Sequence, residues 1–364
     1  MGEAISVERI EVSAYTVPTD SPESDGTLKW DSTTMILVEA VGGGKRGLGY
    51  TYGDIAVGTL IESKLASLVE GSDAMNVQAS WAAMRHALRN VGTPGVGSMA
   101  VAAVDTALWD LKAKLFDVPL ATLLGHFHEG VPVYGSGGFT SYSKDRLQEQ
   151  LSGWVEQGIP RVKMKVGREP EKDPERVRAA REAIGDEAAL MVDANGAYTR
   201  KQALFYADRF AEQGVSYFEE PVSSDDLGGL RLLRDRGPAG MSIAAGEYAW
   251  DIFYFRRMLE AEAVDILQAD ATRCAGVTGI LQVDALCKAR SLPSSAHCAP
   301  QLHAHACCAM ETVEHVEYFH DHARLEKMLF DGTLVPHNGV LTPDPSRPGL
   351  GIELKRADAE RYAA

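Results

Sequence analysis

The sequence predicts an α/β protein whose larger part is a closed barrel of parallel strands, preceded by a smaller α+β domain. Three observations predict it. After about Pro132, short apolar segments alternate with helical stretches, as a parallel βα repeat requires. Before that point strands come first and helices after, the order of an α+β unit. Finally, Lys165, Asp193, Glu219, Glu247, Asp270, His297 and Glu317 recur at intervals of 20 to 28 residues, each at or near the end of a successive apolar segment. In a parallel barrel all strand C-termini gather at one face, so residues scattered along the chain converge on one site.

The elements follow in order. Residues 8–17 and 33–40 read as strands, and the polar segment from Thr19 to Trp30, with Pro22, Ser24, Asp25 and Gly26, reads as a loop between them. Helical patterns follow at 58–68 and 97–116. The most apolar stretch, from Val96 to Leu115, is interrupted by Asp105 and Asp110 and so reads as a buried helix, not a membrane span. We place this capping domain at residues 1–126. Eight strands then begin at or near Val131, Val162, Ala189, Ser216, Ser242, Asp265, Pro293 and Val313, giving a barrel over 127–330. Beyond Phe330 the chain carries Pro336, Pro343, Pro345 and Pro348, which cannot extend a barrel. Residues 331–364 are expected to fold back on the capping domain.

A chain of 364 residues is long enough for this two-part arrangement. Its net charge of −15 argues against a nucleic-acid partner, which needs clustered Lys and Arg. Five cysteines, an odd number without framework spacing, suggest reduced thiols, and no basic segment leads an apolar core at the start. The expectation is a cytoplasmic protein with no membrane partner. The start through Ser6 formally fits an acylation pattern built on Gly2, but alternating Ile5, Val7 and Ile10 lead straight into a strand.

Asp193, Glu219 and Glu247 end three consecutive strands. Any one of them could be a helix cap or a solvated charge, but three in phase repel one another unless a cation lies between them. Oxygen donors without Cys or His favour Mg²⁺. Glu219 and Glu220 are adjacent, and alternation would turn them to opposite sides, so one alone should serve as ligand. Lys163 and Lys165 share a strand face, where each charge should lower the other's pKa toward that of a base. Asp270 and His297 end neighbouring strands, so the carboxylate can hold one imidazole nitrogen and leave the other free for proton transfer. A transition-metal cluster of His297, His303, His305 and Cys307, with His320 and His322, is disfavoured because His303 and His305 would not share a helix face.

Together, Lys163-Met-Lys165, Met191-Val-Asp193-Ala-Asn195, Glu219-Glu220-Pro221, Gly246-Glu247, Asp270 with Gly276-Val-Thr-Gly279, and Ser294-Ser-Ala-His297 resemble the enolase superfamily and, within it, the mandelate racemase group. The resemblance covers nearly the whole chain. It implies a (β/α)7β-type modified TIM barrel under an N-terminal α+β capping domain. It also implies Mg²⁺ bound by Asp193, Glu219 and Glu247, with Lys165 and the Asp270–His297 dyad as bases. Lys163 would tune Lys165 and touch the substrate carboxylate, Glu317 would hydrogen-bond a carboxylate oxygen, and Asn195 would lie near a substrate hydroxyl. The segment Thr272-Arg273-Cys274-Ala275 departs from the usual pattern, where relatives carry a Lys and a second glycine. Muconate cycloisomerases place a Lys where Asp270 stands, which speaks against cycloisomerisation.

Removal of a proton beside a carboxylate adds charge to an anion, and Lewis-acid stabilisation of the resulting enediolate answers that difficulty. In this family capping loops cover the barrel mouth, here about 19–30 and 50–54, with Tyr52 and Asp54 expected to meet substrate. So polar a lid suits a sugar acid. Dehydration of an acid sugar is therefore the expected reaction, with racemisation or epimerisation of a 2-hydroxy acid second. A non-catalytic metal-binding barrel is a third reading, and its sign would be a missing base or ligand; none is missing. A homo-oligomer is expected.

Overall fold

The computed structural model describes residues 5–364, so Gly2 of the formal acylation pattern lies outside the described residues. The chain opens with an antiparallel sheet of β1 (Arg9–Ser24), β2 (Lys29–Gly42) and β3 (Lys45–Tyr52). The first connection differs from expectation. Where the sequence suggested a loop over 19–30, the strand ladder resumes at Glu23↔Trp30 and Ser24↔Lys29 after an irregularity between Pro18 and Glu23. Pro18 and Pro22 interrupt pairing locally, since neither has a backbone donor. Asp25 then closes the hairpin, its carboxylate accepting from the Thr27 and Leu28 amides at 2.6 and 2.7 Å.

Helix Val96–Leu115 lies against this sheet. A Cβ at Gly47 or at Gly49 would sit 2.1 Å from a helix carbonyl, so the two glycines and the helix alanines permit unusually close approach. The two aspartates inside this helix are fully buried and satisfied. Asp105 accepts from the amide and hydroxyl of Thr278 at 2.9 and 2.7 Å, at the start of barrel helix Gly276–Ala289. Asp110 accepts from the Leu48 and Leu350 amides at 2.6 and 2.5 Å. The charges that excluded a membrane span thus join the cap to the barrel and the tail. No helix of the described residues is long and apolar enough to cross a membrane.

The barrel strands are β4 (Val131–Gly137), β5 (Arg161–Lys165), β6 (Ala189–Asp193), β7 (Val215–Glu219), β8 (Ser242–Ala245), β9 (Ile266–Ala269), β10 (Ser294–Ala296) and β11 (Val313–Phe319). Each pairs in parallel with the next, and β11 pairs with β4 to close the ring. The eight-stranded barrel and its antiparallel cap are the fold class that the sequence predicts. Buried Tyr134, Met191, Tyr217, Ala244 and Ile266 fill the interior. The tail after Phe330 touches both parts. Val340 pairs with Pro132 of β4, while the Gly349 carbonyl accepts from Leu120 and the Ala364 amide donates to Ala14 of β1.

Glu326 joins cap to barrel more directly. It lies in helix His320–Leu329 and accepts from the Tyr50 hydroxyl at 2.7 Å, the Tyr52 hydroxyl at 3.3 Å and the Gln301 amide at 3.1 Å. Burial pushes its carboxyl up to about 7 despite those donors. The folded chain therefore keeps a proton that the unfolded chain releases. That contribution is full below the ordinary carboxyl pKa and is lost as pH rises through about 7, a swing of about 3 kcal/mol. Glu326→Gln cannot titrate, so urea unfolding at about pH 5 and about pH 8 should show the variant gaining on the wild type at the higher pH. Parallel pH dependences would mean that Glu326 is ionised in the folded protein.

Candidate active site

Strand alternation sets both Lys163 and Lys165 on the same face of β5. Asp193 and Glu219 are the last residues of β6 and β7, Glu247 follows β8 by two residues, and Asp270 and His297 directly follow β9 and β10. Glu317 lies within β11. None of these eight side chains is more than 6% exposed.

Ligand oxygens of Asp193, Glu219 and Glu247 lie within 4.8 Å of one another. Burial raises the Glu219 carboxyl well above its usual range; Lys163 opposes that shift, and Asp193, Glu317 and Glu247 add to it. Glu247 Oε2 has no hydrogen-bond partner. An all-oxygen, buried, mutually repelling set with one orphaned oxygen fits a hard divalent cation. Glu220 was expected to face away from this cluster. It lies just past the end of β7 with φ +38°, so strict alternation has ended. Its buried carboxyl is likewise raised, by burial and then by the charges of Glu247 and Asp193. Distance, not alternation, singles out Glu219.

The lysines reverse a second expectation. Lys165 Nζ donates to Asp193 at 2.5 Å, while Lys163 Nζ meets Glu219 at 2.5 Å and Glu317 at 2.9 Å. Burial and Lys163 both press the Lys165 pKa down, but Asp193, Glu317 and Glu247 outweigh them and hold it above its ordinary value. The neighbouring ammonium is present as expected; the carboxylates dominate it.

His297 Nδ1 and Asp270 Oδ2 are 2.8 Å apart. The other Asp270 oxygen accepts from the amide and hydroxyl of Thr272, both at 2.7 Å. Burial opposes ionisation of Asp270, but the His297 hydrogen bond and charge, with His303 and Arg273, hold its carboxyl well below the usual range. An ionised Asp270 only accepts, so Nδ1 carries the proton and Nε2 is left for chemistry. That nitrogen faces Cys298 Sγ at 3.2 Å, Glu247 Oε2 at 3.4 Å and Glu317 Oε2 at 3.7 Å. The segment that departs from the usual pattern supports this arrangement. Besides Thr272, it supplies Arg273, whose guanidinium lies 3.3 Å from Glu247 and 3.7 Å from Asp270.

Several groups escaped the sequence reading. Ser136 donates to Glu317 at 2.6 Å, and Gln268 donates to Glu219 at 2.9 Å. Gln268 is two residues before Asp270, so alternation on the strand was a usable signal. The Cys298 amide and thiol both reach Glu317, at 3.0 and 3.3 Å. Adjacency to His297 was its one sign.

Of the three expected substrate contacts, Asn195 stays at the site. Its amide donates to Asp193 at 2.8 Å, and its side-chain oxygen is buried without a partner. Tyr52 and Asp54 do not join the cluster. The Tyr52 hydroxyl is taken by Glu326 and its ring stacks on His322 at 3.5 Å between centroids, while exposed Asp54 accepts from the Ala56 amide. His303 uses both ring nitrogens on backbone groups of Cys298 and Ala271, which leaves none for a metal.

The tip of the β1–β2 hairpin sits on the barrel mouth. A Cβ at Gly26 would lie 2.4 Å from the Ala194 carbonyl and 2.7 Å from that of Val166, the residues after Asp193 and Lys165. Ser24 bonds Thr140 at 2.7 Å, and Arg168 donates to the Asp25 and Leu28 carbonyls at 2.9 and 2.6 Å. Gly26→Ala should lift the tip and raise KM by about tenfold, since overpacking of this kind costs about 1–3 kcal/mol. An unchanged KM in steady-state assays would show that the tip is not seated there during turnover.

Comparison with known proteins agrees with this geometry. Residues 9–125 match the mandelate racemase / muconate lactonizing enzyme N-terminal domain family, and residues 146–359 match the enolase C-terminal domain-like family. The 3,6-anhydro-alpha-L-galactonate cycloisomerase of Streptomyces coelicolor is 32% identical over 359 residues, covering 96% of this chain and 97% of the relative. The arabinonate dehydratase of Saccharolobus solfataricus is 30% identical over 317 residues, covering 84% and 83%. Among solved structures, a mandelate racemase/muconate lactonizing enzyme-like protein from Rubrobacter xylanophilus is 69% identical, with TM-score 0.97 over 99% of this chain and 100% of that one. A racemase from Streptomyces coelicolor with bound magnesium is 30% identical, with TM-score 0.92 over 98% and 99%.

Proposed function

The chain is an enzyme of the enolase superfamily, in the mandelate racemase and muconate lactonizing enzyme family, and on that premise we propose that it dehydrates an acid sugar by removing the proton α to its carboxylate. The observation that carries the reading is the aim of His297: Asp270 fixes Nδ1 at 2.8 Å, and Nε2 faces Glu247 of the carboxylate triad at 3.4 Å. A substrate carboxylate held at that triad would therefore lie beside this nitrogen.

Asp193, Glu219 and Glu247 would hold magnesium, which when bound supplies Lewis acidity to stabilise the doubly charged enediolate. A cation held by Asp193 would offset the carboxylate charge that keeps the Lys165 proton in place, so Lys165 would then be able to accept one. Lys163 and Glu317, 2.9 Å apart, would orient the substrate carboxylate. β5 and β10 are three strands apart around the eight-stranded ring, so Lys165 and His297 approach from well-separated directions. His297, protonated at Nε2, would deliver its proton to the departing β-oxygen.

A dehydratase among the relatives and the polar hairpin over the mouth support this choice. The relatives also limit the earlier argument from Asp270. With a sugar-acid cycloisomerase among them, the missing Lys speaks only against the muconate type. The same enediolate expels whichever oxygen the β-carbon carries, so a ring ether in place of a hydroxyl would make the reaction a ring opening. Return of a proton to the far face of the α-carbon would instead make it a racemase or epimerase.

One experiment separates these readings. The protein is incubated with Mg²⁺ in D₂O against a panel of sugar acids and anhydro-sugar acids, and the α-proton is followed by NMR. Formation of a 2-keto-3-deoxy acid with loss of water is the expected result. Deuterium incorporation with inversion and no elimination would replace it with racemisation. No exchange across the panel would favour a non-catalytic barrel.

A further inference from the structure

Besides the triad, two clusters of metal-type donors stand among the described residues: His297, Cys298 and Glu317 belong to the active site, and the other lies where the capping hairpin meets the barrel. Asp20 and Glu23 come from the end of β1, and His320 is the first residue of helix His320–Leu329. One donor atom from each lies within 4.8 Å of the others. Asp20 Oδ2 and His320 Nε2 are already 3.0 Å apart, and the second Asp20 oxygen meets Arg146 at 3.3 Å.

Glu23 is the unusual member. It is 1% exposed, and although Oε2 accepts from the Trp30 indole at 2.7 Å, Oε1 has no partner at all. A buried carboxylate oxygen without a donor is costly unless a proton or a cation completes it. Nearby Asp321 is answered by Arg324 at 2.6 Å and by Thr33, and Arg324, whose Nε is without a partner, makes no hydrogen bond to Glu23 and reaches it only through its charge. Burial first, then the charges of Asp321 and Asp20, push the Glu23 carboxyl up to about 8, with the Trp30 bond and the Arg324 charge opposing but outweighed. The local field therefore calls for added positive charge.

We propose that Asp20, Glu23 and His320 form a second divalent-cation site that clasps the capping hairpin to the barrel mouth. Two carboxylates and one imidazole suit a borderline first-row cation such as Zn²⁺ better than Mg²⁺, whose sites are built from oxygen alone. Bond lengths of about 2.0–2.2 Å to each donor would bring the three within about 4 Å of one another, a small contraction from where they stand. Exposed Asp20 leaves the remaining coordination positions to water. Such a clasp joins residues some 300 positions apart in the chain and holds the hairpin that Gly26 seats on the strand ends.

The test uses the full-length chain, stripped of metal and dialysed against Zn²⁺, with bound zinc counted by mass spectrometry. A Glu219→Gln/His297→Asn double variant cripples the catalytic triad and the His297–Cys298–Glu317 group, and so isolates the Asp20–Glu23–His320 site. This variant should keep one zinc equivalent and show imidazole scattering in X-ray absorption. Adding Glu23→Gln, or separately His320→Asn, should weaken that zinc by about tenfold or more. The proposal falls if the double variant binds no zinc. It also falls if both added substitutions leave the zinc unchanged, or if the infrared band of a protonated Glu23 persists at saturating Zn²⁺. Thermal unfolding of each variant without metal confirms that the fold is retained.

Discussion

His297→Asn is expected to slow loss of water from the acid sugar by about 10³-fold, within the about 10²–10⁴ that a positioned acid or base contributes, while α-proton exchange at Lys165 persists. Asn can still donate to Asp270, so the dyad's charge remains paired while the group that moves a proton is gone. Lys165→Ala should instead lose the α-proton exchange itself. Three readouts make this specific: loss of water, deuterium exchange at the α-carbon, and Mg²⁺ affinity by calorimetry. Affinity should be retained in His297→Asn, because His297 touches the triad only through Glu247 at 3.4 Å. Full exchange in Lys165→Ala would mean that Lys165 is not the base, and undiminished loss of water in His297→Asn that His297 is not the acid, whatever their positions suggest.

Glu219→Gln should weaken Mg²⁺ by more than about 100-fold, the upper end of what removing even an outer partner of a ligand costs. The substitution keeps shape but removes one of three charges, and leaves Lys163 Nζ facing an amide where it now pairs at 2.5 Å. Gln268, which donates to the other Glu219 oxygen at 2.9 Å, would confront the new amide as well. Circular dichroism would separate a lost site from a lost fold. An unchanged Mg²⁺ affinity with the fold intact would move the cation elsewhere, Glu220 being the nearest buried carboxyl in sequence.

The barrel and the bulk of its site were legible because a parallel βα repeat turns sequence spacing into spatial convergence. One residue per strand end suffices for that inference, and Asp193, Glu219, Glu247, Asp270 and His297 each stand at one. What was not legible depends on interactions that spacing does not encode. The hairpin extends through 19–24 because Asp25 closes a turn on itself, although the residues are as polar as any loop. Glu220 escapes alternation because the backbone leaves the strand at that residue. The direction of the Lys165 shift was misjudged because two lysines were weighed against each other without the carboxylates opposite them. Tyr52 was expected at the mouth as part of a capping loop over 50–54, but the segment through Tyr52 is strand β3, and Glu326, more than 270 residues later, claims its hydroxyl.

The seating of Gly26 over Ala194 and Val166 has a kinetic side. Every residue of the cluster is 6% exposed or less, and the hairpin tip rests on the ends of the strands that carry Lys165 and Asp193. Were the hairpin to lift to admit substrate and again to release product, each turnover would break the Thr140 and Arg168 contacts twice. The frequency at which this flap swings would then be a ceiling on kcat, however fast the proton moves beneath it. Thr140 and Arg168, which hold the hairpin from outside the carboxylate cluster, would thereby acquire a share in setting the speed of the enzyme.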